Sequence, residues 1–273
     1  MPPEPESLRV GDLCGLWRRS LLERADGSRD TGTWVRWLQG ATRFADLRQH
    51  PLGSGLAGVR ARSQLSREQC LELAHQEGFA GVLSADGRIC EWHRTIDFQP
   101  DCGRSDAGSL HWEGAVLIER GRDVPYLEHW HRESDAASSP VWALDLIPAL
   151  AAERGGSGGQ AMLLRVGNWF MFARDRTQRL PTGSTLVECV SRAATLDAAQ
   201  VLVDCEISFG AVAADARFCI LRSSLPWRVN DALDPQLVEG TLSIEDRGPD
   251  GAPVRRRWEI IAREDLAEPR AGS

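Results

Sequence analysis

Lysine is absent: all 32 basic side chains of this 273-residue chain, histidine aside, are arginine. That excludes Schiff-base chemistry and any phosphate loop that depends on lysine. No run of about 18 apolar residues occurs, so no membrane insertion is expected. The seven cysteines (Cys14, Cys70, Cys90, Cys102, Cys189, Cys205, Cys219) form no C-x-x-C pair. An odd, scattered set points to reduced thiols, most of them small buried hydrophobes. The opening Met-Pro-Pro-Glu-Pro-Glu is acidic and proline-rich, the reverse of a signal peptide, so a cytoplasmic location is expected. A net charge of −7 argues against nucleic acid as a partner. The glycines at 155–159 lack the lysine of a phosphate loop, and no G-x-S-x-G elbow is present. No cofactor is expected.

What the chain does carry is a series of short alternating segments separated by turns. Strands are expected at 13–22, 33–39, 42–48, 79–84, 89–98, 110–119, 124–132 and 141–147. A helix is expected at 66–77, where Ser66 and Gln69 form a capping box and Gly78 terminates. The stretch 151–159, AAERGGSGG, reads as a linker. Beyond it, strands are expected at 161–166, 169–174, 201–209, 218–222, 240–246 and 255–262, with a short helix at 185–193 and a frayed tail from Glu264. The fold class is therefore all-β: two antiparallel barrel-like domains over 10–150 and 160–263, the first with one inserted helix.

All six histidines and the single tyrosine lie between residues 50 and 131. Strand alternation sorts their segments into two faces. Pairing 89–98 with 110–119 so that Trp92 opposes Trp112 puts Trp92, Arg94, Ile96, Leu110 and Trp112 on one face. Tyr126, Glu128, Trp130 and Arg132 share a face of the next strand. Earlier strands repeat the pattern in Trp17 with Arg19, in Val35, Trp37 and Gln39, and in Phe44, Asp46 and Arg48. Tryptophan burial points these faces inward. The candidate ligand-binding set is thus Trp37, Asp46, Arg48, Trp92, Arg94, Trp112, Tyr126, Glu128 and Trp130. An Arg94–Glu128 ion pair is expected, because a buried charge needs a partner.

The function that follows is binding of a small hydrophobic molecule, with a homodimer left open. The alternative is an enzyme with Glu128 or Asp46 as general base and Arg48 or Arg94 holding an anionic intermediate. A buried carboxylate without an arginine partner would favour catalysis, and a fully paired set binding or plain structure. A third reading is a scaffold recognised through its surface. On the opposite face His93, His111, His129 and His131, with Glu91, Glu113 or Glu133, offer a metal alternative, against which stands a plain solvated face. The H-x-H-x-E run at 129–133 does not keep a cupin's spacing.

Several phrases, "DTGTWVRWLQ" with "FADLR", "GRICEWHRTIDFQP", "YLEHWHR", "GNWFMFARDR", "DCEISFG" and "SSLPWR", occur here in order. They resemble a family of uncharacterised bacterial and fungal proteins that includes the yeast protein Hri1. The likeness spans most of the chain, with departures at the short DTGT turn and at Gln49-His50. The resemblance implies a two-domain, lipocalin-like β architecture. It supplies no catalytic residues.

Overall fold

The chain alternates between β-hairpins and a few one- to two-turn helices, as its turn residues dictate. The computed structural model describes residues 8–51, 53–135, 140–149 and 159–265. The N-terminal sheet contains β1 (Gly15–Arg24), β2 (Arg29–Asp30), β3 (Trp34–Gln39), β4 (Arg43–Gln49), β5 (Glu77–Asp86), β6 (Ile89–Asp97), β7 (Ala107–Glu113), β8 (Val116–Gly121) and β9 (Tyr126–Asp135). In the order β2-β1-β3-β4-β5-β6-β7-β8-β9 each pairs antiparallel with the next, and β1 also pairs with β9. Every strand but the short β2 is thereby part of a closed eight-stranded barrel.

The second sheet holds β10 (Val141–Pro148), β11 (Ala161–Val166), β12 (Trp169–Arg174), β13 (Glu206–Val212), β14 (Phe218–Ser223), β15 (Gln236–Val238), β16 (Thr241–Arg247) and β17 (Pro253–Asp265). Its order, β14-β13-β12-β11-β10-β17-β16-β15, leaves a half-barrel with two edges. The connection between β14 and β15 spans that gap. Leu233 N–H donates to Phe218 O at 2.9 Å and Glu245 N–H to Leu233 O at 2.8 Å. These bonds satisfy backbone groups that an open edge would leave exposed.

Strand 141–147, expected in the first domain, pairs instead with β11 and β17 in the second sheet. The change of sheet thus falls before Val141, and most of the expected linker, 151–158, lies outside the described residues. Helix α1 (Arg67–Leu73) has the expected reciprocal cap: Gln69 N–H donates to Ser66 Oγ at 3.2 Å, and Ser66 N–H to Gln69 Oε1 at 2.8 Å. It ends at the Ala74 cap, and Gly78 already lies inside β5. Helix α2 (Leu186–Arg192) follows Thr185, and α3 (Leu196–Leu202) follows Thr195. The start of the strand expected at 201–209 is the end of α3, which begins with a threonine cap that the reading passed over.

The two sheets pack through one shared core. Leu16, Leu38, Ala45 and Leu47 of the barrel's outer face meet Met162, Leu164, Met171 and Ile207, and α1 to α3 cover its flank with Leu73, Val190 and Leu202. Polar contacts add to it. Glu264, expected to fray, accepts from Thr42 N–H at 2.9 Å and from Arg43 Nη1 at 3.1 Å. Each sheet also has an interior cluster of its own.

Candidate functional site

Alternation places Trp17, Val35, Trp37, Phe44, Phe79, Leu83, Trp92, Leu110, Leu117 and Trp130 inside the barrel. One end is sealed. A 3-10 turn at Val10–Leu13 brings Leu13 into the core, and Trp17 Nε1 donates to Leu13 O at 2.7 Å. Arg132 lies 4.6 Å from the Trp17 ring centre and donates to Asp12 O. Trp112 belongs to this end: it packs 5.8 Å from Trp17 and is 47% exposed. It does not line the cavity described next.

The other end is polar. A cavity of about 10 Å³, on the order of one water, is walled by Trp37, Phe79, Trp92 and Trp130. Its polar lining is Asp46, Arg48, Asp106 and Glu119. Arg48 Nε donates to Asp46 Oδ1 at 3.0 Å. Burial pushes the Asp46 carboxyl up against the pull of Arg48. Glu128, also buried, accepts from Arg19 Nη1 at 2.6 Å and from Arg48 Nη1 at 3.4 Å, and Arg19 reaches on to Asp30. Of the nine expected residues, Trp37, Asp46, Arg48, Trp92 and Trp130 line this space. Tyr126 and Glu128 stand beside it, each bonded to a lining side chain.

The expected Arg94–Glu128 pair does not form. Arg94 bonds Asp106, and Asp97 at 3.0 Å, and its guanidinium lies 3.6 Å from the centre of the Phe79 ring at the cavity rim. Two features of β6 explain this. Its pairing with β7 sets Glu91 opposite Ala107, so Trp92 meets Asp106 rather than Trp112, an even shift that keeps the faces. A bulge at Thr95 then turns Ile96 to the shared core, away from the face of Trp92 and Arg94.

Glu119 is the residue that the sequence reading missed. Gly114, at φ 62°, makes a two-residue turn inside what reads as one strand, 110–119. The turn reverses the chain and changes its phase, so Leu117 and Glu119 face inward. Tyr126 Oη donates to Glu119 Oε1 at 2.6 Å and Trp130 Nε1 to Oε2 at 2.9 Å. Among the described residues no arginine bonds it. Burial, then the charge of Glu128, pushes its carboxyl up to about 8. The isolated Gly114 was the available signal.

The histidines do not converge. His131 Nε2 is 2.8 Å from Ser20 Oγ, His93 bonds Ser84, and His111 lies 3.1 Å from Glu113. Among the described residues no group of three or more His, Cys, Asp or Glu is placed to hold a metal. No helix among them is long and apolar enough to cross a membrane.

The second sheet buries charges too, and pairs them. Arg228 Nε donates to Glu206 Oε1 at 3.1 Å and lies 3.5 Å from Asp246, while Arg174 Nη2 donates to Asp204 at 2.8 Å. Arginine thus stands beside every carboxylate of this cluster, the arrangement that makes buried charge tolerable.

No family model and no curated protein matches this chain. A solved structure does: the uncharacterized protein YLR301w from Saccharomyces cerevisiae, at a TM-score of 0.52 and 13% identity, over 92% of this chain and 98% of that one. At that identity the likeness shows the fold alone. It is consistent with the family resemblance of the sequence phrases.

Proposed function

We propose that this protein binds a small molecule with a flat apolar body at the polar end of the N-terminal barrel. The observation that supports it is the set of four aromatic walls around a few fixed polar groups, Asp46, Arg48, Asp106 and Glu119. Small-molecule sites have this make-up: apolar walls and a few fixed polar groups. In its present form the space holds on the order of one water, so a ligand enters by displacing Arg94 from the Phe79 ring. Arg94, bonded to Asp106 and Asp97 beside that ring, is partly exposed and is the group that the ligand would displace. A lipocalin-like mode of binding fits the closed barrel.

The test is native mass spectrometry of freshly purified full-length protein. A retained mass that leaves on unfolding, and is lost in Trp92→Ala, is the expected result. A bare chain that no member of a small aromatic library stabilises against heat would overturn the reading.

Glu119 favours a second reading, general acid–base catalysis in the same cavity. Glu128 and Asp46, the bases expected from sequence, both carry arginine partners. Glu119 instead holds a proton near neutral pH, where acid–base catalysts work best. Turnover of a retained molecule that disappears in Glu119→Gln would select this reading over simple binding.

A further inference from the structure

A cavity of about 350 Å³ lies where the tip of the β16–β17 hairpin meets the loop before α1. Its volume falls in the class that holds small metabolites, about 300–1,000 Å³. Arg60 comes from that loop; Trp227, Asn230, Asp231, Arg247 and Asp250 come from the second half of the chain. The two parts are fixed against each other. Ser63 N–H donates to Pro249 O at 2.9 Å. Gly251, at φ 87°, leaves no room for a side chain, since a Cβ there would lie 2.9 Å from Arg60 O.

The charges in this cavity are unequally committed. Asp231 is bound three times: by Arg247 Nη2 at 2.6 Å, Arg247 Nε at 2.9 Å and Arg228 Nη1 at 2.9 Å. Arg228 is itself buried and held by Glu206, so Asp231 is a rigid floor whose charge is already matched. Asp250 turns the hairpin by accepting from Ala252 N–H at 3.1 Å. The cations keep capacity. Arg247 Nη1 has one long contact, 3.4 Å to Gly251 O. Arg60 lines the cavity, and its exposed guanidinium has no hydrogen-bond or ion-pair partner among the described residues. Two guanidinium groups with donors to spare, over a neutralised floor, suit a planar or tetrahedral anion.

We propose that this cavity binds a small metabolite through an anionic group, carboxylate or phosphate, held between Arg60 and Arg247. Trp227 lies along the rest of the molecule, and Asn230 and Asp250 meet its hydroxyl or amino groups. The volume admits a metabolite and excludes a folded partner. Because its two cations come from different halves of the chain, the ligand also fastens the halves together and raises thermal stability.

Isothermal titration and thermal unfolding of the full chain test this with three probes: inorganic phosphate, glycerol 3-phosphate and succinate, each up to about 10 mM. Binding of one probe per chain, weakened about tenfold or more in Arg60→Glu, is expected. The unliganded Arg60→Glu variant should melt with the parent, because the Arg60 side chain has no partner among the described residues and its backbone contacts are unchanged. Response to the phosphates but not succinate assigns a phosphoryl group, and the reverse assigns a carboxylate. No binding by any probe overturns the proposal. So does unchanged affinity in Arg60→Glu, or an equal loss in Arg24→Glu, an exposed arginine outside the cavity.

Discussion

Glu119 and Glu128 oppose each other across β8 and β9, and their neighbours set them apart. Glu128 has two arginines, whereas Glu119 has a phenol and an indole. Carboxylate pairs in such contrasting settings divide acid and base roles between them. Folding raises the Glu119 carboxyl from 4.5 to about 8. Between those values the folded chain keeps a proton that the unfolded chain has released. The contribution of Glu119 to stability is therefore fully present below the lower value and is lost as pH rises between the two, by about 1.4 kcal/mol per unit, then levels off. Glu119→Gln should remove that slope, since Tyr126 can turn its hydroxyl to accept from the new amide. Urea unfolding from about pH 5 to about pH 9 measures it, and parallel curves for variant and parent would count against a protonated Glu119. Removing Glu128 leaves Arg19 buried without its closest partner, at about 3–5 kcal/mol. Arg19 and Glu128 should couple by about 0.5–3 kcal/mol in a double-mutant cycle, whereas Arg94 and Glu128 should be additive within about 0.5 kcal/mol. Coupling for Arg94 would contradict the observed pairs. Residue types and faces were readable here because strand alternation sorts them. Partners were not, because Arg19 and Glu128 are 109 positions apart and only barrel closure brings them together.

Elements with strong local signals were legible, and errors gathered where a single residue changes the phase of a strand. The Ser66–Gln69 cap needs only four residues, and it set the start of α1 correctly. Gly114 and the bulge at Thr95 each reassign several side chains with little local warning. Gly81 lies opposite Arg94 in the same bulge, and a Cβ there would come 1.9 Å from His93 O. No side-chain movement relieves a backbone contact, so β5 and β6 would have to separate. Gly81→Ala should cost roughly 3 kcal/mol or more, beyond ordinary overpacking. Gly32 has nothing within 4 Å of its Cβ position, and Gly32→Ala should stay within about 0.5 kcal/mol. Equal midpoints for the two variants in denaturant would mean that the strands pair differently here. The site depends on the same bulge, since it separates Arg94 at the rim from Ile96 in the shared core.

At the scale of the whole molecule, turn-punctuated alternation made an all-β pair of barrels legible, while the shared core could not be foreseen. Leu38, Ala45 and Leu47 read as the outer face of a barrel, where solvent would be the default, yet they are buried against the second sheet. A barrel with one apolar outer wall is incomplete alone. If the second half unfolded by itself, that wall and the flank of α1 would meet water, at about 25 cal/mol per Å² of apolar surface. Thr42 and Arg43 would lose Glu264 at the same time, and Arg43 would lose Asp145, now 2.7 Å away. The two halves should therefore unfold as one cooperative unit. Leu163 tests this because it is fully buried in the interior cluster of the second sheet, outside the shared core. Leu163→Ala should cost about 2–5 kcal/mol, and hydrogen exchange should show the loss in both sheets. The informative amides are those of Leu47 and Ala80, in strands of the first barrel. If the change acts through the common core, their protection falls together with that of β11 and β12. If only the second sheet loses protection, the first barrel stands without its partner, and the apolar wall formed by Leu38, Ala45 and Leu47 does not bind the two halves into one folding unit.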